Sequence, residues 1–173
     1  MRITGGAWRS RIIEAPTHEG LRPTSDKVRQ AIMTMLEARG LIEGASVLDI
    51  FCGTGALGLE TLSRGAEKCI FIDNNNKSLE LAKLNAQNLK AENATFIMAD
   101  GIKLPVATAQ ANLVFLDPPY HKNLIQPCIT SLQEKNWLAQ DCILCIETEI
   151  DAVFENVFQE KIYGDTKVSL IQP

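Results

Sequence analysis

The hydrophobic positions of this chain switch repeatedly between short continuous runs and a period of about 3.6 residues, the pattern of buried strands alternating with helices. Residues 47–51, VLDIF, form an apolar run with a single acid, Asp49. The run leads into glycines at 53, 55 and 58, where Ala56, Leu57 and Leu59 open a helix. The pattern predicts a helix over 57–64 stopped by Gly65, a strand over 69–73, a helix over 78–89 and a strand over 95–98. A strand over 113–116 is closed by Asp117-Pro118-Pro119-Tyr120. A helix holding Leu124, Ile125, Cys128, Ile129 and Leu132 follows, with Pro127 either in its first turn or bending it. A fifth strand is expected over 142–147. The alternation of Phe158, Glu160 and Ile162, then Val168 and Leu170 beyond Tyr163-Gly164-Asp165, predicts a closing antiparallel pair.

Upstream, Val28, Ala31, Ile32, Met35 and Leu36 repeat at helical spacing, with Thr24 or Ser25 as the N-cap and Arg39-Gly40 as the stop. Two apolar pieces around Gly5-Gly6 predict a small hairpin-like extension over 2–13. Strands alternating with helices in this way build an α/β fold, a mostly parallel sheet with helices on both faces. No repeat or linker divides the chain. It reads as one domain, with an N-terminal extension over 1–23 and a core over 24–173.

Composition and charge narrow the function classes. No apolar run approaches the roughly twenty residues of a membrane span, and the start, MRITGGAWRSR, lacks the apolar stretch of a secretory signal. A cytoplasmic protein is expected, with a monomer as the default. Five cysteines without framework spacing fit a reducing compartment. Cys142 and Cys145 fall three apart in an expected strand, so they face opposite sides and are read as core thiols rather than a metal site. The net charge of −4 is unevenly spread. Residues 1–30 hold Arg2, Arg9, Arg11, Arg22, Lys27 and Arg29 against Glu14, Glu19 and Asp26. A basic arm on an acidic body is a candidate footprint for phosphates, or else an ordinary solvated arm. Trp8 is expected to pack on the core, and His18 and His121 to face solvent.

The candidate chemistry lies at strand ends. Glycines at 53 and 55 let backbone approach a ligand, a spacing shared with dinucleotide-binding turns. Asp49, Asp73, Asp100 and Asp117 all fall at or near strand ends, where open α/β sheets bind ligands. Asp73, twenty positions after Gly53, is placed to accept hydrogen bonds from ribose hydroxyls, and Asp100 to meet an adenine amino group. Two prolines after Asp117 remove backbone donors, keep carbonyl acceptors and hold the acid extended. A base with an exocyclic amine fits that rim: Asp117 and the Pro118 carbonyl accept its hydrogens, Tyr120 stacks on its ring, and the nitrogen lone pair is freed to attack a methyl group.

DIFCGTGALG followed by LVFLDPPY is similar to class I S-adenosylmethionine-dependent methyltransferases that modify amino groups. GGAWRSR, LRPTSDKVRQAIMTML, LETLSRGAE and the closing IYGDTKVSLI narrow the resemblance to the RsmD group of 16S rRNA guanine-N2 methyltransferases, over essentially the whole chain. The resemblance implies a Rossmann-like, mostly parallel seven-stranded sheet and S-adenosyl-L-methionine as the cofactor, without metal or membrane. The partner it implies is 16S rRNA in the small ribosomal subunit or an assembly intermediate. It places Asp49, Phe51, Cys52, Gly53, Thr54 and Gly55 along the methionine and ribose part of the cofactor. Asp73 and Asn74 fall at the ribose, and Asp100 and Gly101 at the adenine. Asp117, Pro118, Pro119 and Tyr120 are implied to receive the guanine. Arg2, Arg9, Arg11, Arg22, Thr24, Lys27 and Arg29 are implied to grip RNA. Cys52 and Thr54 stand where the group more commonly has Ala and Ser, and Pro127 is less usual for its helix.

Other readings compete on single features. The Asp117 element by itself suits adenine N6, guanine N2, cytosine N4 or a glutamine amide. An NAD-dependent oxidoreductase accounts for the glycines and Asp73 but leaves Asp117-Pro118-Pro119-Tyr120 without a purpose. A non-catalytic RNA-binding module accounts for the basic arm alone.

Overall fold

Residues 1–15, 25–119 and 122–173 are described by a computed structural model. The expectations for His18, Arg22, Thr24, Tyr120 and His121 lie outside the described residues. The elements run α1 (Asp26–Glu37), β1 (Ser46–Ile50), α2 (Ala56–Ser63), β2 (Lys68–Asp73), α3 (Asn76–Leu89), β3 (Ala94–Met98), β4 (Ala111–Leu116), α4 (Ile125–Glu134), β5 (Leu138–Glu149), β6 (Val157–Tyr163) and β7 (Thr166–Ile171). All seven strands join one sheet in the order β3-β2-β1-β4-β5-β7-β6. The first five pair in parallel. The tail adds β7 and β6 as the antiparallel pair that the alternation around Phe158 and Val168 indicates.

Local signals account for most boundaries. Ser25 caps α1, its hydroxyl accepting from the Val28 amide at 3.3 Å. Pro127 is the third residue of α4, in the first turn, where its missing N–H costs no intrahelical bond. The fifth strand is longer than its apolar run: β5 begins at Leu138, because pairing with β4 starts at Ala111 before the register shifts. The N-terminal extension has one antiparallel bridge, Arg2 with Ile12, and a 3₁₀ turn over Gly6–Trp8 in place of a full hairpin.

Two apolar layers sandwich the sheet. One holds α1, α2, α3 and the N-terminal arm over Val47, Phe71, Phe115 and Cys145, with Trp8 packed at its margin. The other holds α4 and the connection before β4 over Leu48, Ile72, Leu116 and Cys142. Cys142 and Cys145 therefore point to opposite faces. Trp137 is fully buried in the second layer and donates its indole N–H to the Pro105 carbonyl at 2.8 Å. Ile3 and Ile13, each 1% exposed, make the arm part of the core.

A buried charge network joins that arm to the helices. Glu60, on α2, accepts from the Thr4 amide at 2.7 Å and the Thr4 hydroxyl at 3.0 Å, and it pairs with Arg29 and Arg64. Arg29 also donates to the Arg2 carbonyl and reaches Asp26. This corrects one expected RNA contact: Arg29 is 0% exposed, and its guanidinium is committed inside the protein. A charge on α1 that must be buried is stable only with partners, and Glu60 supplies the carboxylate.

Two substitutions test these supports. Glu60→Ala takes the shared buried carboxylate away from two guanidinium groups, and urea unfolding is expected to show a loss of about 3–5 kcal/mol. In Gly58→Ala the new methyl meets the Phe71 ring and lies 2.6 Å from the Cys69 sulfur. A net loss of about 1–2 kcal/mol is expected there, despite the better helix propensity of alanine.

Candidate cofactor and substrate crevice

The strand order reverses between β1 and β4, the place where open α/β sheets leave a crevice beyond their carboxyl ends. The loop after β1 is held in unusual backbone geometry. Phe51 takes a left-handed φ of 62°, Gly53 of 53° and Gly55 of 74°, with Gly55 as the N-cap of α2. A non-glycine residue at positive φ costs free energy and is kept only where its surroundings over-determine it. Here the determinants are visible. The Gly53 amide donates to Asp73 Oδ2 at 2.9 Å, and the Gly58 amide donates to Asp49 Oδ2 at 2.9 Å. Asp73 Oδ1 takes a third amide, from Asn75 at 2.8 Å. Asn75 in turn caps α3 through the Lys77 amide.

Asn85 completes the loop's anchoring. This fully buried amide donates to the carbonyls of Thr54 at 3.0 Å and Glu14 at 3.1 Å, while its oxygen accepts from the Glu14 amide at 2.7 Å. The N-terminal arm and the glycine loop thus share one side chain. Neither Asn75 nor Asn85 stands out in the sequence, since a polar residue in or before a helix has many ordinary uses.

Acids dominate the crevice. Burial pushes the Asp49 carboxyl up to about 8, against the lowering effect of the Gly58 amide, and the charges of Asp117 and Asp73 raise it further. Burial also raises the Cys52 thiol, helped by Asp49 and Asp73. Asp100 is half-buried, its carboxylate turned onto the Ile102 amide at 3.1 Å. Buried Gly101 lies against Phe51, where a Cβ would fall 2.7 Å from the ring. The sequence-expected Asp49, Phe51, Cys52, Gly53, Thr54, Gly55, Asp73, Asp100 and Gly101 belong to the β1, β2 and β3 ends on one side of the crevice. Asn74 sits exposed after β2.

The other side is the end of β4. Asp117 is half-buried, Pro118 buried and Pro119 exposed. A cavity of about 240 Å³ opens beside the prolines, lined among others by Lys122, Ile125, Glu147 and Phe154. Glu147 is 7% exposed and was missed by sequence reasoning. Its signal, an acid inside the apolar run CILCIE, parallels that of Asp49 in VLDIF.

The basic arm is divided. Arg2, Arg9, Arg11 and Lys27 are exposed. Arg9 follows Trp8, whose amide donates to Ser63 at the far end of α2, and Arg11 donates to the Asn88 and Leu89 carbonyls at the far end of α3. Lys27 lies in the first turn of α1. Trp8, beside Arg9, is thus anchored about 12 Å of helix rise from the glycine loop, whereas Arg11 rests within a turn of Asn85, which bonds the Thr54 carbonyl of that loop. Among the described residues no cluster of His, Cys, Asp and Glu could hold a metal ion, and no helix is long and apolar enough to cross a membrane.

Comparison with known proteins agrees with this geometry. A family model described as Conserved hypothetical protein 95 matches residues 1–172. Ribosomal RNA small subunit methyltransferase D of Escherichia coli K12 is 34% identical, over 99% of this chain and 89% of that protein. The protein of the same name from Haemophilus influenzae is 38% identical over 87% and 80%. The solved structure of yhhF from Escherichia coli superposes with a TM-score of 0.83 at 34% identity, covering 98% of this chain and 96% of that one. A hypothetical protein of Thermus thermophilus shares the fold at a TM-score of 0.82 and 22% identity, covering 100% and 99%. With matches of this extent, the chain belongs to the Conserved hypothetical protein 95 family, that of ribosomal RNA small subunit methyltransferase D.

Proposed function

We propose that this protein transfers a methyl group from S-adenosyl-L-methionine to the exocyclic N2 of a guanine in 16S rRNA of the small ribosomal subunit. The observation that carries this reading is the adjacency of β1 and β4, which sets the glycine loop and the Asp117-Pro118-Pro119 rim on neighbouring strand ends. The names of the relatives support the rRNA substrate.

The residues present suit a cationic donor. Asp49, Asp73 and Asp117 place three acids around the loop, and Asp49, raised chiefly by burial and further by Asp117 and Asp73, is one that a neighbouring cation favours in its ionised form. S-adenosyl-L-methionine bound there supplies an electrophilic methyl on a positively charged sulfur. The bared backbone at Gly53 admits the ligand closely, while the missing side chain at Gly55 lets the loop pack on Phe71 and Ala82, and Asp73 keeps lone pairs for ribose hydroxyls beyond its two amide bonds. Asp100 and Gly101 form the end toward the adenine.

On the β4 side, Asp117 and the Pro118 carbonyl accept the two hydrogens of the base amine and orient its lone pair. Asp117 also stabilises the positive charge that develops on nitrogen, and much of the rate comes from positioning. Exposed Arg2, Arg9, Arg11 and Lys27 make the phosphate contacts. Unpaired loop nucleotides enter the cavity at low unstacking cost.

Transfer from methyl-tritiated S-adenosyl-L-methionine to unmodified small subunits, followed by nucleoside digestion, is expected to give N2-methylguanosine. Label in N6-methyladenosine would redirect the reading to adenine. Asp117→Ala is expected to keep cofactor affinity by calorimetry while losing at least about a hundredfold in kcat; equal loss of both would make Asp117 a structural residue.

Asp49 sets a pH signature. Its folded value of about 8 lies above the ordinary 3.8, so the folded protein holds a proton that the unfolded chain releases between these values. The contribution of Asp49 to stability is greatest below that window and falls as pH rises through it. A cationic ligand prefers the ionised form, so cofactor affinity is expected to rise toward pH of about 8 with proton release on binding. Calorimetry in buffers of different ionisation enthalpy measures that release, and Asp49→Asn is expected to abolish it.

A further inference from the structure

Resting on the guanine-N2 reading above, we infer that Glu147 is a specificity-determining residue, accepting the N1–H of the target guanine while Asp117 accepts from its N2 amine. The pairing of β4 with β5 sets the geometry. Phe115 faces Cys145 and Leu116 faces Ile146, so the next step of the register brings Asp117 beside Glu147. Side chains two apart on a strand share a face. Asp117 and Glu147 thus leave the sheet on the face of Phe115 and Cys145, which lie together in one core layer. The Cys145 thiol senses both: burial raises it first, and the charges of Glu147 and Asp117 raise it further.

Glu147 also contributes to the wall that Pro118, Pro119 and Lys122 share at the ends of β4 and β5. It is 7% exposed, so a hydrogen bond there is shielded from water. An ionised carboxylate offers about four acceptor positions, which leaves room for a base beside its other ties.

The chemistry matches one purine. Guanine presents an amine at N2, a hydrogen at N1 and an acceptor at O6. Two neighbouring carboxylates satisfy the first two, and Lys122 on the rim is a donor for the third. Adenine offers an amine beside a bare N1 lone pair, which a carboxylate repels. Asp117-Pro118-Pro119 serves either amine, so discrimination has to come from the wall beside it. A site built to bond a particular hydrogen rejects analogues lacking it far more strongly than an apolar pocket does.

The test uses small subunits reconstituted with rRNA carrying either guanosine or 2-aminopurine riboside at the methylated position. Both have the 2-amino group, but 2-aminopurine has no hydrogen on N1. The wild-type protein is expected to favour guanosine by about a hundredfold or more in kcat/KM. In Glu147→Gln, whose amide can donate to N1, that ratio is expected to collapse to about tenfold or less, chiefly through faster transfer to 2-aminopurine. Cofactor affinity by calorimetry should stay at the wild-type level. A merely structural glutamate would lower both rates and leave their ratio unchanged, and that result overturns the inference. So does a wild-type protein that methylates both nucleosides equally well, a measurement needing no variant. Should Glu147→Gln fail to fold, Glu147→Asp retains the carboxylate and must keep the guanosine preference; losing it also overturns the assignment. Absence of wild-type transfer to guanosine itself would instead defeat the underlying methyltransferase reading.

Discussion

Asp49 and Asp73 each hold a backbone amide of one glycine-rich segment, Gly58 and Gly53 respectively, and those two bonds fix the loop that borders the crevice. Amide groups at a sharp strand-to-helix turn have no partners in a ladder, and buried donors left unpaired cost more than most packing contacts return. The acids at the ends of β1 and β2 satisfy them. They thereby keep the loop in a left-handed path that Phe51 would otherwise avoid. Parallel pairing of the two strands, with Asp49 opposite Phe71 and Ile50 opposite Ile72, delivers both carboxylates to the same loop.

The same acids then define the chemistry. Burial and mutual repulsion leave the crevice hungry for positive charge, and the Asp49 carboxyl meets that strain by holding its proton. In the proposed reaction, a donor with a cationic sulfur and a nucleophile that becomes cationic in the transition state would both gain from such a field. The acids that shape the loop therefore also set the electrostatic character of the crevice.

A second constraint ties the periphery to the centre. Glu60 draws Arg29, Arg64 and Thr4 into one buried network, and Asn85 bonds the backbone of Glu14 to the carbonyl of Thr54. The N-terminal arm is thus a packed part of the domain rather than an appended tail. Its cations are sorted by this packing. Arg29 is consumed inside, Arg11 leans on the end of α3, and Arg2, Arg9 and Lys27 stay at the surface.

Much was legible in the residues alone, because the relevant signals are local. Apolar runs ending in glycine or acid located the strands. Helical spacing of Val28, Ala31, Ile32 and Met35 located α1, and the glycines with Asp73 and Asp117 marked the strand ends that border the crevice. These depend on neighbours a few positions away, which a chain displays directly. Tertiary structure decided the rest. Whether Arg29 faces RNA or Glu60 depends on two helices meeting across 31 positions of sequence. The start of β5 at Leu138 depends on a partner strand, and the placing of Glu147 one residue beyond the Leu116–Ile146 pair depends on the register between β4 and β5. Pairing across the sheet and burial between helices are properties of contacts distant in sequence, and no local pattern of charge or hydrophobicity encodes which residues will share them.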